Sequence, residues 1–447
     1  MESETYEQRT SRTKGREATE GVIPGRYCLS VGKPHLPAPK AWRWTPLSEV
    51  AQLESGHTPS RKQPEYWNEG IPWIGIKDAV DNHGRTIHDT YQHISELGLQ
   101  NSSARLLPAR TVCLSRTASV GYVVVMGKSM ATSQDFVNWV CGPELEPDYL
   151  KYVLLAENES LLRFASGTTH QTIYYPEAKA FHALLPPIDV QRAIVRVVGS
   201  IDDKIELNRK MNETLEAIAR ALFKSWFVDF DPVRAKAAGR APAGMDAATA
   251  ALFPSEFVDS DLGPIPKGWR RGRLEDLLVL QRGFDLPTHS RKPGPYPVVA
   301  ASGPTAGHES AQVKGPGVVT GRSGVLGKVF FVLEDFWPLN TALWVKEFRQ
   351  CGPCYAYLAL QQIDFGAFNA GSAVPTLNRN HVHSLPWLIP DKSAAHAFES
   401  LCSAIFRKQH ESNKQSQTLT TLRDELLPRL LSGEVSPSKL DAPSCAS

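Results

Sequence analysis

The stretch "PKAWRWTPLSEVAQLESG" at residues 39–56 returns as "PKGWRRGRLEDLLVLQRG" at residues 266–283. The match sets Trp42 against Trp269, 227 positions apart (269 − 42), and the remaining matches in this stretch share that offset. Self-similarity over so long a period is typical of duplicated domains rather than of a solenoid, because each copy is long enough to bury a core of its own. The sequence therefore predicts two related globular domains.

Two further blocks continue the repeat. "TVCLSRTASVGYV" in copy one matches "GVVTGRSGVLGKV" in copy two and pairs Arg116 with Arg322, 206 positions apart (322 − 116). "GTTHQTI" from Gly167 corresponds to "GSAVPTL" from Gly371, and a Pro-ended apolar run follows each. Since the offset falls from 227 to 206 along the chain, copy two is the shorter copy.

Each copy is followed by a helix with a heptad pattern, whose apolar positions step by threes and fours. The predicted seams are Ile194, Val197, Ile201, Lys204, Asn208, Met211, Leu215, Ile218 and Leu222, and 204 positions later Phe398, Leu401, Ile405, Lys408, Ser412, Gln415, Leu419, Leu422 and Leu426. Antiparallel pairing would align the two polar middles and fix the register. It would also relate the two domains by a pseudo-twofold axis, which suits two half-sites on DNA. The alternative is that each helix packs only on its own domain.

These patterns divide the chain into seven segments. They are an N-terminal extension (1–38), a first domain (39–187), a first helix (188–232), a linker (233–264), a second domain (265–390), a second helix (391–433) and a tail (434–447). The two polar ends are not expected to contribute to a core. Four aromatic residues near the end of the first helix either pack against the neighbouring domain or form a docking surface for partner subunits. They are Phe223, Trp226, Phe227 and Phe230.

Composition narrows the class of protein. With 42% hydrophobic and 21% charged residues the chain is an ordinary globular sequence. It has no stretch of about twenty apolar residues and no signal-peptide core at its amino end, so no membrane association is expected. Seven cysteines without a paired framework agree with a reducing compartment. The predicted location is the cytoplasm.

Motifs for catalysis are missing. "GRSGVLGK" from Gly321 lacks the spacing of a phosphate-binding loop, and the only Pro-Pro follows Leu185 rather than the Asn or Asp of an adenine methyltransferase site. No HExxH or cysteine-histidine set predicts a metal site. Cys351 and Cys354 have redox spacing, but copy one carries Asp148 in place of Cys354, which favours a turn before a helix. A self-sufficient DNA enzyme is therefore disfavoured.

Several of these stretches together resemble one family, the specificity subunits of type I restriction-modification systems, over about residues 39–433. They are "LSEVAQLESGHTPSRKQPEYW", "IPWIGIKD", "LFKSWFVDFDP", "GPIPKGW" and "LRDELLPRLLSGEV". The resemblance implies an α+β protein of two similar target-recognition domains, each followed by a long helix, with the two helices pairing as an antiparallel coiled coil.

In function, the resemblance implies a non-catalytic subunit that binds a bipartite, asymmetric double-stranded DNA target. It also implies docking of two modification (adenine methyltransferase) subunits and of restriction subunits. S-adenosylmethionine, ATP and Mg would belong to those partners, and this chain would hold no cofactor. Two alternatives stay open: a coiled-coil scaffold with protein-binding domains, and the specificity subunit of a system that only methylates.

Whole-domain charge does not identify the DNA-binding residues. Residues 41–187 hold 12 Lys and Arg against 15 Asp and Glu (net −3), whereas residues 265–390 hold 13 against 8 (net +5). Local placement and residue type give candidates for phosphate and base contacts. These are Arg61, Lys62, Lys77, Arg116, Thr169, His170, Gln171 and Thr172 in copy one, and Arg282, Arg322, Thr376, Asn378 and Arg379 in copy two.

The repeat separates these candidates into two groups. Arg116 and Arg322 are shared by both copies, so they are expected to contact the DNA backbone or, alternatively, to hydrogen-bond their own turn. Residues that differ between the copies are the predicted base readers, because two unlike half-sites require unlike side chains. His170, Gln171, Asn378 and Arg379 are foremost among these.

Overall fold

The matched sequence blocks fold into two matched sets of strands. The structure is a computed structural model that describes residues 21–166, 171–261, 263–368 and 376–439. The chain divides into two units: the residues up to Ile205 together with those from Gln417 onward, and Glu206–Ser416. Each of the two long helices contributes one half to each unit.

The strands of the first unit are β1 (Ile23–Pro24), β2 (Leu29–Val31), β3 (Arg43–Pro46), β4 (Ala51–Ser55), β5 (Trp67–Ile74), β6 (Thr86–Ile87), β7 (Gln92–Ile94), β8 (Val112–Ser115), β9 (Val123–Met126), β10 (Ala131–Thr132), β11 (Phe136–Cys141) and β12 (Phe181–Leu185). Those of the second are β13 (Phe257–Val258), β14 (Ile265–Pro266), β15 (Arg270–Arg273), β16 (Leu278–Arg282), β17 (Tyr296–Ala300), β18 (Gly303–His308), β19 (Gly317–Gly321), β20 (Val329–Val332), β21 (Trp337–Pro338), β22 (Ala342–Phe348) and β23 (Pro386–Ile389). The α-helices are α1 (Leu47–Val50), α2 (Ile76–Asp81), α3 (Glu96–Gln100), α4 (Pro147–Ala156), α5 (Asn158–Phe164), α6 (Tyr175–Lys179), α7 (Ile188–Phe227), α8 (Asp231–Ala237), α9 (Ala247–Ala251), α10 (Leu274–Leu277), α11 (Pro353–Gln361), α12 (Arg379–His383) and α13 (Lys392–Leu431). Within the described residues, no helix is both long and apolar enough to span a bilayer.

The sheets of the second unit repeat those of the first. The strand order β4-β11-β8-β9-β6 corresponds to β16-β22-β19-β20, and β10-β5-β7 corresponds to β21-β17-β18. In each of the latter two sheets one pair is parallel, β5 with β10 and β17 with β21. A Cβ atom on Gly56 or Gly283 would collide with a carbonyl oxygen of the adjoining segment, at Ser133 or Leu339, which accounts for glycine at this repeated position. The predicted duplication is confirmed.

Part of the N-terminal extension, strands β1 and β2, belongs to the core of the first unit, and the expectation that this end would not contribute to a core is wrong for these residues. Strands β1 and β2 extend the sheet β1-β2-β12-β3. Cys28, Leu29 and Val31 are buried. The buried Glu157 carboxylate accepts hydrogen bonds from the backbone N–H groups of residues 26–29 at 2.6–3.2 Å. These hydrogen bonds replace those to water that a carboxylate loses when it is buried. No periodic pattern in the sequence predicts them.

The segment predicted as a linker, 233–264, is also part of a core. Val233 and Phe253 are 0% and 1% exposed and pack among the aromatic rings of the second unit. The Lys236 ammonium donates to the Phe253 backbone oxygen, which ties the two ends of this segment together. Sequence analysis missed these core positions because the segment is rich in alanine. A short segment needs only one or two large side chains to be held in a core.

The polar middles of α7 and α13 meet, as predicted. Asn208 is fully buried, and its Nδ2 donates to Gln415 Oε1 at 2.9 Å and to Ser416 Oγ at 3.2 Å. A weaker contact joins Asn208 Nδ2 to Ser412 O at 3.4 Å. A buried asparagine of this kind selects one register, because a shift would leave its amide unpaired.

The two helices run in opposite directions in both units. In the second unit Phe223, which follows Asn208 on α7, contacts Phe398, which precedes the polar middle of α13 (ring centroids 5.8 Å apart). In the first unit Arg423 Nη1 on α13 donates to Asp202 Oδ1 on α7 at 3.0 Å. The predicted antiparallel pair is confirmed. Helix α7 ends at Phe227, five residues before the predicted boundary at 232 (232 − 227).

Three of the apolar residues predicted to lie in the seam are exposed instead. Ile218, Leu401 and Leu422 are 43%, 47% and 49% exposed, whereas Ala219 and Cys402 are fully buried. At Ile218 and Leu401 the buried residue is the next one along the helix, four residues rather than three after the preceding seam position. The prediction chose the larger apolar residue at each of these two positions, but the two paired helices bury the smaller residue that follows it.

Candidate nucleic-acid interface

A turn after β8 holds Arg116 in the first unit. Its backbone N–H donates to Asp135 O at 2.7 Å, and its backbone oxygen accepts from Ile173 N at 2.9 Å. The guanidinium Nε donates to Gln134 O at 3.2 Å. Burial lowers the pKa of Arg116, against the charges of Asp135 and Tyr174, but a guanidinium stays protonated in proteins. Arg116 thus joins three loops of its domain.

The second unit repeats both backbone bonds, and its arginine side chain donates to the equivalent carbonyl oxygen through a different nitrogen. The Arg322 backbone N–H donates to Thr341 O at 2.9 Å, and its oxygen accepts from Leu377 N at 2.8 Å. The guanidinium Nη1 donates to Asn340 O at 3.3 Å. The structure therefore supplies the hydrogen bonds of the structural alternative for both shared arginines. Contact with DNA phosphates stays a prediction for their remaining N–H groups.

A second contact joins the same loops with different side chains. Thr58 Oγ1 donates to Gln134 Oε1 in the first unit, and Asn340 Nδ2 donates to Asp285 Oδ1 in the second. Thr58 and Asp285 are 227 positions apart (285 − 58), and Gln134 and Asn340 are 206 apart (340 − 134), so these are equivalent residues.

We call these residues the three-loop node of each unit. The node consists of Thr58, Arg116 and Gln134 in the first unit and of Asp285, Arg322 and Asn340 in the second. Its frame is shared, but two of its three side chains differ. Sequence reasoning missed the four residues other than the arginines, although the repeat offsets applied to polar positions would have found them.

Residues of the third repeat block lie beside the node. Thr172 Oγ1 is 2.9 Å from Thr117 Oγ1, next to Arg116, and Gln171 is exposed. Thr376 forms a β-bridge with Ser323, next to Arg322. Thr169 and His170, which were also predicted here, fall outside the described part of the chain. The described residues of the third block thus lie next to the turn of Arg116 or Arg322 in both units.

The two candidates that follow the third block in copy two lie at the start of α12. Asn378 Oδ1 accepts from Asn380 N at 3.0 Å and so caps this helix. A helix cap accounts for Asn378 without any DNA contact. Arg379 follows it with an exposed side chain. Its DNA contact stays a prediction.

Arg61 lies over two tryptophan rings. Its guanidinium carbon is 3.5 Å from the centroid of the Trp67 ring and 5.2 Å from that of Trp73. Its Nη2 donates to Gln92 Oε1 at 2.8 Å. The neighbouring Lys62 is exposed. The Arg61 side chain is thus held in place although it is open to solvent.

The remaining basic candidates are exposed in different settings. Lys77 Nζ is 3.9 Å from the centroid of the Tyr91 ring. Arg282 Nη2 is 3.4 Å from Asp285 Oδ1, so Arg282 lies beside the node of the second unit. The structure brings Arg282 to a node, whereas Lys77 lies on α2, which has no counterpart among the described residues of copy two.

A histidine in each unit accepts a backbone hydrogen bond. His83 Nδ1 accepts from Val123 N at 3.1 Å, and His383 Nε2 accepts from Leu280 N at 2.8 Å. Burial lowers the pKa of both rings. A ring nitrogen that accepts a hydrogen bond carries no proton, so neither histidine offers a positive charge to DNA.

Cys351 and Cys354, the pair with redox spacing, lie in the core of the second unit. In the described ranges, no three His, Cys, Asp or Glu side chains are placed to hold a metal ion together. Cys351 and Cys354 are buried, and burial raises the pKa of both thiols, which disfavours the thiolate that redox chemistry needs. Helix α11 begins at Pro353, so the predicted turn before a helix is confirmed.

The aromatic cluster at the end of α7 is a core element, and the docking alternative is wrong for its three buried rings. Phe223, Trp226 and Phe227 are 2%, 4% and 7% exposed. Their rings contact Tyr355, Phe398, Phe253 and Trp269. Phe230 is half-buried against Trp269, with ring centroids 5.7 Å apart. A ring enclosed on all sides offers no face to a partner.

Comparison with known proteins gives consistent matches. The type I restriction modification DNA specificity domain matches residues 39–217. The chain is 26% identical over 433 residues to the type I restriction enzyme MjaIX specificity subunit of Methanocaldococcus jannaschii, covering 90% of this chain and 95% of that protein. It is 28% identical over 363 residues to the HindI specificity subunit of Haemophilus influenzae, covering 65% and 77%. The fold is similar to the crystal structure of a type I restriction-modification S subunit from M. genitalium (TM-score 0.57, 15% identity, 89% of this chain and 98% of that chain).

Proposed function

We propose that this chain, which belongs to the DNA specificity subunits of type I restriction-modification systems, binds a bipartite and asymmetric target, one half with each unit. Members of this family are non-catalytic subunits that recognise a DNA sequence. The observation that carries the bipartite reading is the three-loop node, which places equivalent residues on one frame in both units. Two copies of one frame with different side chains are what two unlike half-sites require, because each base pair presents its own donors and acceptors.

In this proposal, some residues of the node contact the DNA backbone and others contact bases. Arg116 and Arg322 are common to both units, so their free N–H groups would bind phosphates, which are the same in every sequence. Gln134 and Asn340 differ, and both carry an amide that can donate and accept at a base edge. Gln171 and Arg379 add exposed polar groups beside them.

The second part of the proposal concerns the complex. We infer that two modification (adenine methyltransferase) subunits and restriction subunits bind this chain in the cytoplasm and supply S-adenosylmethionine, ATP and Mg. Ile218 and Leu422 support two equal docking sites: they are 204 positions apart (422 − 218), lie on α7 and α13, and are 43% and 49% exposed. Equivalent apolar positions on two paired helices suit two copies of one partner.

The test is genome-wide adenine methylation in a host that carries this chain with its modification subunit, compared with the same host lacking this chain. A gapped two-part methylation motif should disappear in the host that lacks this chain, because in this proposal the chain selects the sequence that is methylated. Unchanged methylation by an active partner would contradict the proposal and favour the scaffold alternative. If the motif is methylated but unmodified DNA is not restricted, the system only methylates.

A further inference from the structure

The loop between β4 and β5 in the first unit is fixed from one side by two tryptophans. Trp67 Nε1 donates to Ser60 O at 3.2 Å, and Trp73 Nε1 donates to His57 O at 3.0 Å. The two indole rings meet edge to face with centroids 5.2 Å apart. Both indoles thus spend their only hydrogen-bond donor on holding the backbone of this loop.

Arg61 is the residue that this support presents to solvent. Its guanidinium lies 3.5 Å above the Trp67 ring, and Gln92 Oε1 accepts from Nη2 at 2.8 Å. Stacking and one hydrogen bond fix the plane of the group, which has five N–H donors in all. Donors therefore remain for a ligand, and the entropy cost of ordering this long side chain is already met in the free protein.

The support is continuous with the node. Thr58, in the same loop as Arg61, donates to Gln134, whose backbone oxygen accepts from Arg116. Arg61 and Arg116 are therefore anchored to one connected set of loops. Lys62, adjacent in sequence, adds an exposed positive charge of the kind that binds phosphates.

The second unit lacks this feature. Trp73 pairs with Ala131, and the equivalent pair in the second unit is Val298 with Trp337, since 131 and 337 are 206 positions apart. Valine thus stands where Trp73 stands in the first unit. Among the described residues of the second unit, no arginine is stacked on a tryptophan. The common fold does not need the support, which points to a role in the half-site of the first unit alone.

We propose that Arg61 reads a guanine in that half-site by donating two parallel N–H bonds to O6 and N7. Among side chains, a fixed guanidinium matches these two acceptors best, and arginine to guanine is the commonest specific contact in the major groove. The inference rests on the proposed function, and it adds a base and an atomic contact to it.

The test compares Arg61→Lys with the wild-type chain in the complete modification complex. Lysine keeps the positive charge but loses the planar pair of donors and the stack. The methylated motif should become degenerate at one guanine of one half, with the other half unchanged. In competition binding, 7-deazaguanine at that position, which lacks the N7 acceptor, should weaken wild-type binding more than it weakens the binding of Arg61→Lys.

The expected discrimination lost by Arg61→Lys at that guanine is about 5- to 150-fold. Lys62→Ala is the matched control and should weaken all sequences alike. An unchanged motif in Arg61→Lys would overturn the inference. The inference would also be overturned if Arg61→Gln bound all sequences more weakly to the same degree while Arg61→Lys bound them as tightly as the wild type. A phosphate contact behaves in this way. A wild-type chain without any motif-dependent methylation would instead refute the proposed function.

Discussion

The two units share their sheets and their node, but they complete their cores with different pieces of chain. The first unit uses β1 and β2 from the N-terminal extension, held by Glu157. The second uses the aromatic end of α7 together with Val233 and Phe253. Strands β1 and β2, Val233 and Phe253 lie outside the repeated blocks, whereas the end of α7 has its counterpart 204 positions later in Leu427, Leu430 and Leu431 of α13, which are buried in the core of the first unit.

The largest effect should come from the closure of the second unit. Phe227→Ala removes a ring that is 7% exposed and contacts several other aromatic side chains. We expect a loss of about 3–5 kcal/mol in the free energy of unfolding. Urea denaturation followed by fluorescence would measure it. Val228→Ala, at the next position with 46% exposure, is the control and should cost far less; similar losses for both would contradict the assignment of a core.

The closure of the first unit should be nearly as sensitive. Glu157→Gln leaves one acceptor oxygen for a cluster of four backbone N–H groups. A loss of about 2–3 kcal/mol is expected, because hydrogen bonds to a charged group are the strong ones. Hydrogen exchange at residues 26–29 should accelerate. Glu159→Gln, which breaks only the exposed ion pair with Arg26, should leave these amides protected.

The contrast between frame and closure also marks what the sequence could predict. Spaced identities such as Trp42 with Trp269 and the heptads of α7 and α13 predicted the duplication and the antiparallel pair, because periodic patterns report on repeated packing. Glu157 gave no such signal, since its partners are backbone amides 128 to 131 positions away. The same holds for the node, whose arginines were found but whose cross-loop contacts depend on the folded loops.

Substitutions at the proposed base-contacting residues should change which DNA sequence each unit prefers and leave its stability unchanged. Gln171→Ala should relax one half of the methylated motif and Arg379→Ala the other, with about 1–3 kcal/mol less discrimination at the affected base. Competition binding with single-base variants of each half-site would measure this. Loss in the same half for both variants would show that the units do not read separate halves.

The smallest effect concerns pH. Burial lowers the pKa of His83 and His383 in the folded protein, so the unfolded chain takes up protons at a higher pH than the folded chain does. Stability is then fully present above the unfolded pKa, about 6.5, and falls as the pH drops below it. Urea midpoints measured from pH 8 to pH 5 should show this fall. His83→Asn and His383→Gln keep an acceptor atom near the same place, and each should flatten the profile of its own unit; an unaltered profile would argue against burial as the cause.

The division of the chain has a consequence for how such a protein changes its target over generations. The second unit is one uninterrupted stretch, Glu206–Ser416, whereas the first is made of two pieces. Both junctions fall close to Asn208 and Ser412, where the paired helices are polar. A single gene-conversion tract between these points would exchange the complete second unit without splitting either core. If each unit reads one half of the target, as proposed, a lineage could thereby acquire a new half of its target sequence in one step and inherit the other half intact.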